Sequence, residues 1–318
     1  MILTLTVNPA IDQNVTADRL VFEDRAYIVA TSESAGGRGI NASCVIHSFG
    51  GETLAIAPSG GQAGKRFQQL LCNCGFPIEI VPMKKGIRTN LTITDRQGLT
   101  IKLNQPGPQL TKRELAALEE AVRKRLPGAD WLMLCGSLPP GVPGAFYSKL
   151  IKVAHEHGVK TLLDTDGEAL IEGVEAGPTV VAPNQQEAER LLNTALITRT
   201  HFLDAAAQIR GRGAESVILS LGGRGAVGAS ARGMVEVVPP RIEAVCPIGS
   251  GDALAAAFTW AMARKGDFPD ALRWGVAAGT ASASLPGMLF ANLDQTREIY
   301  QRVEVHQAAH TPGTEPRP

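Results

Sequence analysis

Short apolar runs alternate with amphipathic stretches along most of the chain. Thr53–Pro58, Asp130–Leu134, Lys160–Leu163, Thr179–Ala182 and Ser216–Leu219 read as buried strands, and Met1 to Val7 reads as a first one. Between them, Gln62–Cys74, Gly144–His157, Gly167–Val174, Asn184–Leu192 and His201 to Arg210 carry helical spacing. Strands that are apolar throughout, each followed by a helix, predict a parallel sheet covered on both faces. In open sheets of this kind ligands bind at the carboxyl ends of the strands. Gly136, Ser137, Asp164, Asn184, Gly222 and Gly223 fall at such ends.

Two segments break the rhythm. Asn14 to Ser34 is polar and alternating, and Arg88–Thr94 and Leu99–Leu103 flank Asp95-Arg96-Gln97-Gly98, which reads as a hairpin. Strands inserted at about 13–35 and 86–104 should form a small separate sheet, either a lid over the strand ends or a surface ornament. The rest, 1–306, reads as one domain. The tail 307–318, polar with three prolines, is expected to be disordered.

Composition narrows the function classes. The 318 residues are 44% hydrophobic, enough for a large core, and Lys plus Arg equals Asp plus Glu at 31 each. That balance leaves no electrostatic footprint for nucleic acid or an anionic membrane, so neither is expected as a partner. The longest apolar run, Ala253 to Ala263, is too short to span a bilayer, and the N-terminus lacks a basic signal region. Five cysteines (Cys44, Cys72, Cys74, Cys135, Cys246) show no framework spacing and are expected to be reduced, in a cytoplasmic protein. His155 and His157 point to different helix faces and do not suggest a metal pair.

The segment Cys246 to Ala255 carries the sharpest chemistry. A small Gly-rich turn, Gly249-Ser250-Gly251, runs into Asp252 and then into an Ala-rich helix. The first amides of such a helix are unpaired and, with the helix dipole, make an anion site. A carboxylate beside a phosphate site suits phosphoryl transfer to a hydroxyl; an ordinary Asp-capped turn is the alternative. Two other glycine clusters exclude more than they suggest. Gly36 to Asn41 does not follow the first strand as a dinucleotide fingerprint should; Asn8-Pro9-Ala10-Ile11-Asp12 stands there. Gly60 to Arg66 resembles a phosphate-binding P-loop but has Ser59 in place of its first glycine and Arg66 where Ser or Thr belongs.

Taken in order, Asn8 to Asp12, Gly36 to Asn41, Arg88-Thr89-Asn90, Asn104 to Pro108, Gly136 to Gly141, Leu163 to Gly167, Pro183 to Glu187, Ser220 to Gly225 and Pro247 to Ala253 resemble the PfkB (ribokinase-like) carbohydrate kinases. The branch containing 1-phosphofructokinase and tagatose-6-phosphate kinase is the most similar. The resemblance implies a ribokinase-like three-layer α/β/α domain with a mostly parallel sheet and a small antiparallel β lid. It implies Asp252 as general base, with Gly249, Ser250 and Gly251 presenting amides to the transferring phosphate. It assigns the sugar to Asp12, Gly37, Gly39, Asn41, Asn90 and Ser137, and the substrate phosphate to Arg88 with Arg38 and Lys102. Arg25 is a further basic candidate, and relatives usually carry Lys at position 38. Asn184, Ser220, Gly222, Gly225 and Gly279 would hold ATP, and Asn184 and Glu187 would order Mg²⁺ through water, or serve only as a helix cap. The activity implied is phosphorylation of a phosphorylated ketohexose: fructose 1-phosphate first, then tagatose 6-phosphate, then fructose 6-phosphate. A homodimer through the lid is implied. A non-catalytic sugar-phosphate sensor is the alternative from another class, and a nicotinamide enzyme is disfavoured.

Overall fold

A computed structural model describes residues 1–21, 23–287 and 289–308. The chain opens with β1 (Ile2–Thr6), then makes a first excursion through β2 (Ala10–Ala17) and β3 (Ile28–Gly36). It returns by α1 (Arg38–Ser48) to β4 (Thr53–Ser59), and by α2 (Gly61–Leu71) to β5 (Ile78–Pro82). A second excursion, β6 (Arg88–Asp95) and β7 (Thr100–Asn104), precedes α3 (Lys112–Arg125) and β8 (Trp131–Cys135). The alternation continues with α4 (Ala145–Glu156), β9 (Lys160–Asp164), α5 (Gly167–Glu175), β10 (Val180–Val181), α6 (Gln185–Leu192), α7 (Arg199–Gly211) and β11 (Ser216–Ser220). The last part is β12 (Ala226–Ser230), β13 (Gly233–Val238), α8 (Ser250–Ala263), α9 (Phe268–Ala283), α10 (Leu293–Tyr300) and β14 (Glu304–Ala308).

The large sheet runs β14-β13-β12-β11-β10-β9-β8-β1-β4-β5. From β5 to β11 every pairing is parallel, as the strand–helix rhythm predicts. The other end is antiparallel, which the sequence reading did not anticipate. For β12 and β13 the cause is local: they are joined by the tight Ser230–Gly233 turn, and a turn that short can only reverse the chain. Gln307 and Ala308, read as the start of a disordered tail, end β14 opposite Val235 and Met234. Residues 309–318 lie outside the described residues.

Strand alternation builds two cores. Leu3, Leu5, Leu132 and Leu134 face one helix layer, with Phe67, Leu118, Leu150, Leu170 and Phe202. Ile2, Trp131 and Met133 face the other, with Val45, Ile46, Phe258 and Leu272. The protein is therefore a ribokinase-like three-layer α/β/α fold.

The two excursions meet in a separate four-stranded sheet, β3-β2-β6-β7. It consists of two antiparallel pairs joined by β2 and β6, which run parallel. Register aligns Asp12 with Asn90, and Asn90 with Asn104. One row of polar side chains thus crosses three strands on one face.

Tyr147, fully buried on α4, hangs the turn after β8 from the helix layer. Its hydroxyl lies 3.1 Å from the Cys135 carbonyl and 3.0 Å from that of Gly136. Tyr147→Phe leaves Thr165 as the remaining donor to Gly136. It is expected to cost about 1–2 kcal/mol in urea unfolding, the loss for an unmet buried hydrogen bond. An unchanged midpoint would contradict this role for the hydroxyl.

Candidate active site

Helix α8 is apolar on all sides, and Ala253 to Ala261 are buried in it. Small residues let α9 lie directly against it: a Cβ at Gly275 would sit 2.8 Å from the Leu254 carbonyl, and one at Gly279 2.8 Å from that of Ser250. Gly279, expected to approach a nucleotide, is thus required first by helix packing. The N-cap is Gly249, at φ +83°, a left-handed conformation that favours glycine. No side chain caps this end; the Ser250 hydroxyl donates back to the Pro247 carbonyl at 2.8 Å. Among the described residues, no backbone carbonyl accepts from the amides of Gly251 or Asp252. The Ser250 amide, expected to meet the phosphate, instead donates to the Pro247 carbonyl at 3.2 Å, so the helix end offers the Gly251 and Asp252 amides with the dipole behind them.

Asp252 sits on the first turn of α8, half-buried. Its Oδ2 accepts from Asn41 Nδ2, on α1, at 2.7 Å. Burial pushes its carboxyl up to about 7, and the nearby Asp164 adds to the rise; Arg38 and the Asn41 hydrogen bond oppose it. A carboxyl held near neutrality is matched to proton transfer at ordinary pH.

Arg38, on the first turn of α1, faces three carboxylates. Its Nη1 donates to Asp164 Oδ1 at 2.8 Å, and its Nη2 to Asp166 Oδ2 at 3.1 Å and Glu187 Oε1 at 3.2 Å. Its guanidinium is held well above its ordinary range by Asp164, against a desolvation cost. Arg38, expected to grip a phosphate, thus has both of its Nη atoms engaged by the protein's own acids, and it still lines the cavity described below. Asn184 and Glu187 form a reciprocal cap on α6, each backbone amide bonded to the other side chain at 2.9 Å. The helix-cap alternative is realised, and both residues still line the cavity. The donor set is all oxygen, which suits Mg²⁺. Among the described residues no cluster of three or more acidic, His or Cys side chains is arranged to hold a metal directly.

A cavity of about 360 Å³ opens above Asp252. The lid row forms its far wall: Asp12 accepts from Asn90 Nδ2 at 2.8 Å, with Asn104 and Lys102 on the same face. Burial raises the Asp12 carboxyl, against Asn90, Lys102 and Arg88. Arg88 donates to the carbonyls of Gln105 and Asn8, each at 3.0 Å. Its Nε has no partner among the described residues, nor do Asn8 Oδ1 and Asn90 Oδ1. All three atoms belong to residues that line the cavity, though the atoms themselves are covered by protein.

A second cavity, about 550 Å³, adjoins the first and shares Asn184, Ser220, Gly251 and Leu254 with it. Val276, Pro239, Ile242 and Ala283 give it apolar walls, and Gly222, Gly225 and Gly279 line it as expected. Gly225 has a structural reason too: a Cβ there would lie 2.0 Å from the Val237 carbonyl.

The fold thus brings together Asp252, Gly249, Gly251, Asp12, Gly37, Arg38, Asn41, Arg88, Asn90, Lys102, Ser137, Asn184, Ser220 and Glu187 around the first cavity. Ser250 lines the second. Gly39 does not face either one: a Cβ there would meet Thr6 Oγ1 at 2.5 Å, so its smallness serves packing of α1 on β1. Arg25 lies exposed outside both cavities. Asn8, Asn104, Asp164 and Asp166 were missed as site residues. The signal for Asp164 was present, a carboxylate at the end of a parallel strand; Asn8 carried none that distinguishes it from a turn residue.

An anion-ready helix end, a near-neutral carboxyl and two joined cavities, one polar and one apolar, define a phosphotransferase acting on a small polar acceptor. The chain belongs to the pfkB family carbohydrate kinases, whose model matches residues 6–294. It is 33% identical over 302 residues to the ATP-dependent 6-phosphofructokinase isozyme 2 of Escherichia coli (strain K12), covering 94% of this chain and 97% of that one. It is 29% identical to a tagatose-6-phosphate kinase of Staphylococcus epidermidis, covering 96% and 99%. A crystal structure of Escherichia coli phosphofructokinase-2 in complex with substrates and products superposes with TM-score 0.89 at 34% identity, covering 94% and 98%. The protein is an ATP-dependent sugar-phosphate kinase. No helix among the described residues is long and apolar enough to cross a membrane.

The raised Asp252 carboxyl has a stability consequence. The folded state holds this proton to about 7, whereas an ordinary Asp loses it near 3.8. Folding is therefore opposed increasingly as pH rises from about 4 to 7, and the cost persists above that. Asp252→Asn is expected to raise unfolding stability at pH 8 by about 1–3 kcal/mol, with the gain shrinking toward pH 4. Urea midpoints at the two pH values measure this; equal midpoints for both proteins at pH 8 would rule out a strained carboxylate.

Proposed function

We propose that the protein transfers the γ-phosphoryl group of ATP to a hydroxyl of a phosphorylated ketohexose bound under the lid. The observation that carries this reading is the position of Asp252 and the vacant α8 amides where the two cavities meet. ATP would lie in the apolar cavity along Ser220, Gly222, Gly225 and Gly279, with its γ-phosphate toward the amides of Gly249 and Gly251. Asp252 would take the proton from the acceptor hydroxyl while Asn41 holds its other face. The amides would stabilise the charge on the transferring group. Mg²⁺, ordered through water by Asn184 and Glu187, would neutralise phosphate charge.

The sugar would contact Asp12, Asn90, Ser137 and the Gly37 backbone. Arg88 and Lys102, both lining the cavity, would hold the substrate's own phosphate; a planar guanidinium suits it. Arg38 would serve as internal countercharge. The motifs alone rank fructose 1-phosphate first. The 33% identity to a 6-phosphofructokinase favours fructose 6-phosphate ahead of it. The 29% relative keeps tagatose 6-phosphate as a further substrate to assay.

An ADP-release assay over these three phosphosugars and their free sugars tests the reading. Asp252→Asn is expected to lower kcat by about 10²–10⁴-fold, the worth of a general base. Arg88→Ala is expected to raise KM for the phosphosugar at least tenfold, with KM for ATP unchanged. Turnover of no phosphosugar would favour a sensor, and preference for a free sugar would remove the phosphate assignment.

Exposed apolar residues at the edges of the lid support pairing with a second copy. Tyr27, Ile28, Val29 and Leu99 are each more than half exposed there, at 63, 67, 51 and 55%. So large an apolar surface on two edge hairpins suits an interface. Sedimentation is expected to show a dimer, and Ile28→Lys a shift to monomer; a wild-type monomer at micromolar concentration overturns the pairing.

A further inference from the structure

Asn8 stands between β1 and β2, where the chain leaves the main sheet for the lid, and it is only 2% exposed. Three other segments meet on it. Its Nδ2 donates to the Pro106 carbonyl at 3.0 Å and lies 3.5 Å from Ser137 Oγ, and its backbone carbonyl accepts from Arg88 Nη2 at 3.0 Å. Arg88 Nη1 donates to the Gln105 carbonyl at 3.0 Å, and the Gln105 side chain accepts from the Thr89 amide, also at 3.0 Å. The Asn8 amide has one orientation here, because the Pro106 carbonyl that faces it can only accept. A closed ring of hydrogen bonds therefore runs from residue 8 to the loop at 105–106, on to Arg88, and back to residue 8.

We propose that Asn8 is a positioning residue: its side chain pins the 105–107 loop to the end of the main sheet and so fixes the direction in which Arg88 meets the phosphate of the sugar substrate. The inference rests on Arg88 as the phosphate grip of the proposed function. The β6–β7 ladder stops at Asn90 opposite Asn104, so strand pairing does not hold the loop beside Arg88. Pro106 and Pro108 fix their own φ and stiffen the loop. One bond at the Pro106 carbonyl therefore restrains the neighbouring Gln105 carbonyl as well. Gly107, at φ +97°, permits the approach: a Cβ there would sit 2.2 Å from Asn8 Oδ1. With its two terminal nitrogens bonded to carbonyls of different segments, the Arg88 guanidinium is held in one plane. Each of those nitrogens keeps a second N–H for an anion.

The position of Asn8 separates this role from general packing. Asn8 and Arg88 both line the polar cavity, and neither lines the apolar one. Loss of the Asn8 side chain should therefore weaken the phosphosugar and spare ATP. A side chain that only supports the fold would lower stability and affect both substrates alike.

The experiment compares Asn8→Ala, Arg88→Ala and the double variant in the full chain, using the phosphosugar of highest turnover, and follows hydrogen–deuterium exchange in the absence of substrate. Asn8→Asp keeps the size of the side chain, turns an oxygen toward the Pro106 carbonyl, and takes the place of the alanine variant should that one not fold. Asn8→Ala is expected to raise KM for the phosphosugar about tenfold, the worth of roughly one hydrogen bond. KM for ATP should stay in place, and kcat should fall by less than KM rises. The double variant should show no higher KM than Arg88→Ala alone, because both changes remove the same grip. Exchange should rise at residues 88–89 and 104–107 while β1 and β8 stay protected. An unchanged phosphosugar KM in Asn8→Ala, equal rises for both substrates, KM effects that multiply in the double variant, or unchanged exchange at 104–107 would each overturn the positioning role and leave the phosphate grip standing. A wild-type KM in Arg88→Ala would instead remove the grip, and the positioning role with it.

Discussion

Holding a carboxylate partly out of water at the start of a helix sets conditions on everything around Asp252. The helix must be buried to keep solvent off the carboxyl, so α8 is alanine-rich and lacks a polar side. It must lie against a second helix at a backbone-limited distance, which Gly275 and Gly279 permit. Its end must stay uncapped if the amides are to meet a phosphate, which Gly249 and the turned-away Ser250 hydroxyl ensure. The carboxyl itself needs a fixed donor, and Asn41 provides it from the opposite element. Together these features place one base at the junction of two cavities.

The charge arrangement follows from the same constraint. Asp164, Asp166, Glu187 and Asp252 crowd the ends of adjacent strands and helices, and without a cation they would repel. Arg38 bonds three of them directly and lowers the carboxyl of the fourth through space. A guanidinium suits this because its donors diverge in one plane, so separate acids can be met at once. A lysine at the same position would present a point charge and fewer fixed directions. Arg38 thereby opposes the rise that burial and Asp164 impose on the Asp252 carboxyl.

Much of this was legible in the chain. The parallel strands showed as short apolar runs, the lid as alternation that interrupts them, and the α8 turn as glycines around an acid. Sequence spacing also separated the Gly60–Lys65 decoy from a phosphate loop; in the fold, a Cβ at Gly60 would sit 2.0 Å from the Met83 carbonyl, so packing explains that glycine. What stayed hidden depends on contacts between distant positions. Nothing local to Arg38 reveals that Asp164 lies 2.8 Å away across the sheet end. Nothing in Glu304–Ala308 signals an edge strand, because its pairing partner β13 supplies the order. Gly39 looked like a ligand glycine because close backbone approach to a sugar and close approach to β1 leave the same mark in sequence.

Unmet hydrogen-bonding capacity then distinguishes a packed cluster from a receptive one. Buried polar atoms without partners are costly, and a fold keeps them only where something else satisfies them. The described residues contain seven such side-chain atoms, and three of them, on Asn8, Arg88 and Asn90, belong to residues that line the cavity above Asp252. The other four, on Ser148, Trp260, Arg273 and Thr296, belong to residues that do not line that cavity. On the lid side of the cavity, Asp12, Asn90 and Asn104 lie in one row with Lys102 two residues from Asn104 on the same face, so hydroxyl-binding groups stand beside a cation.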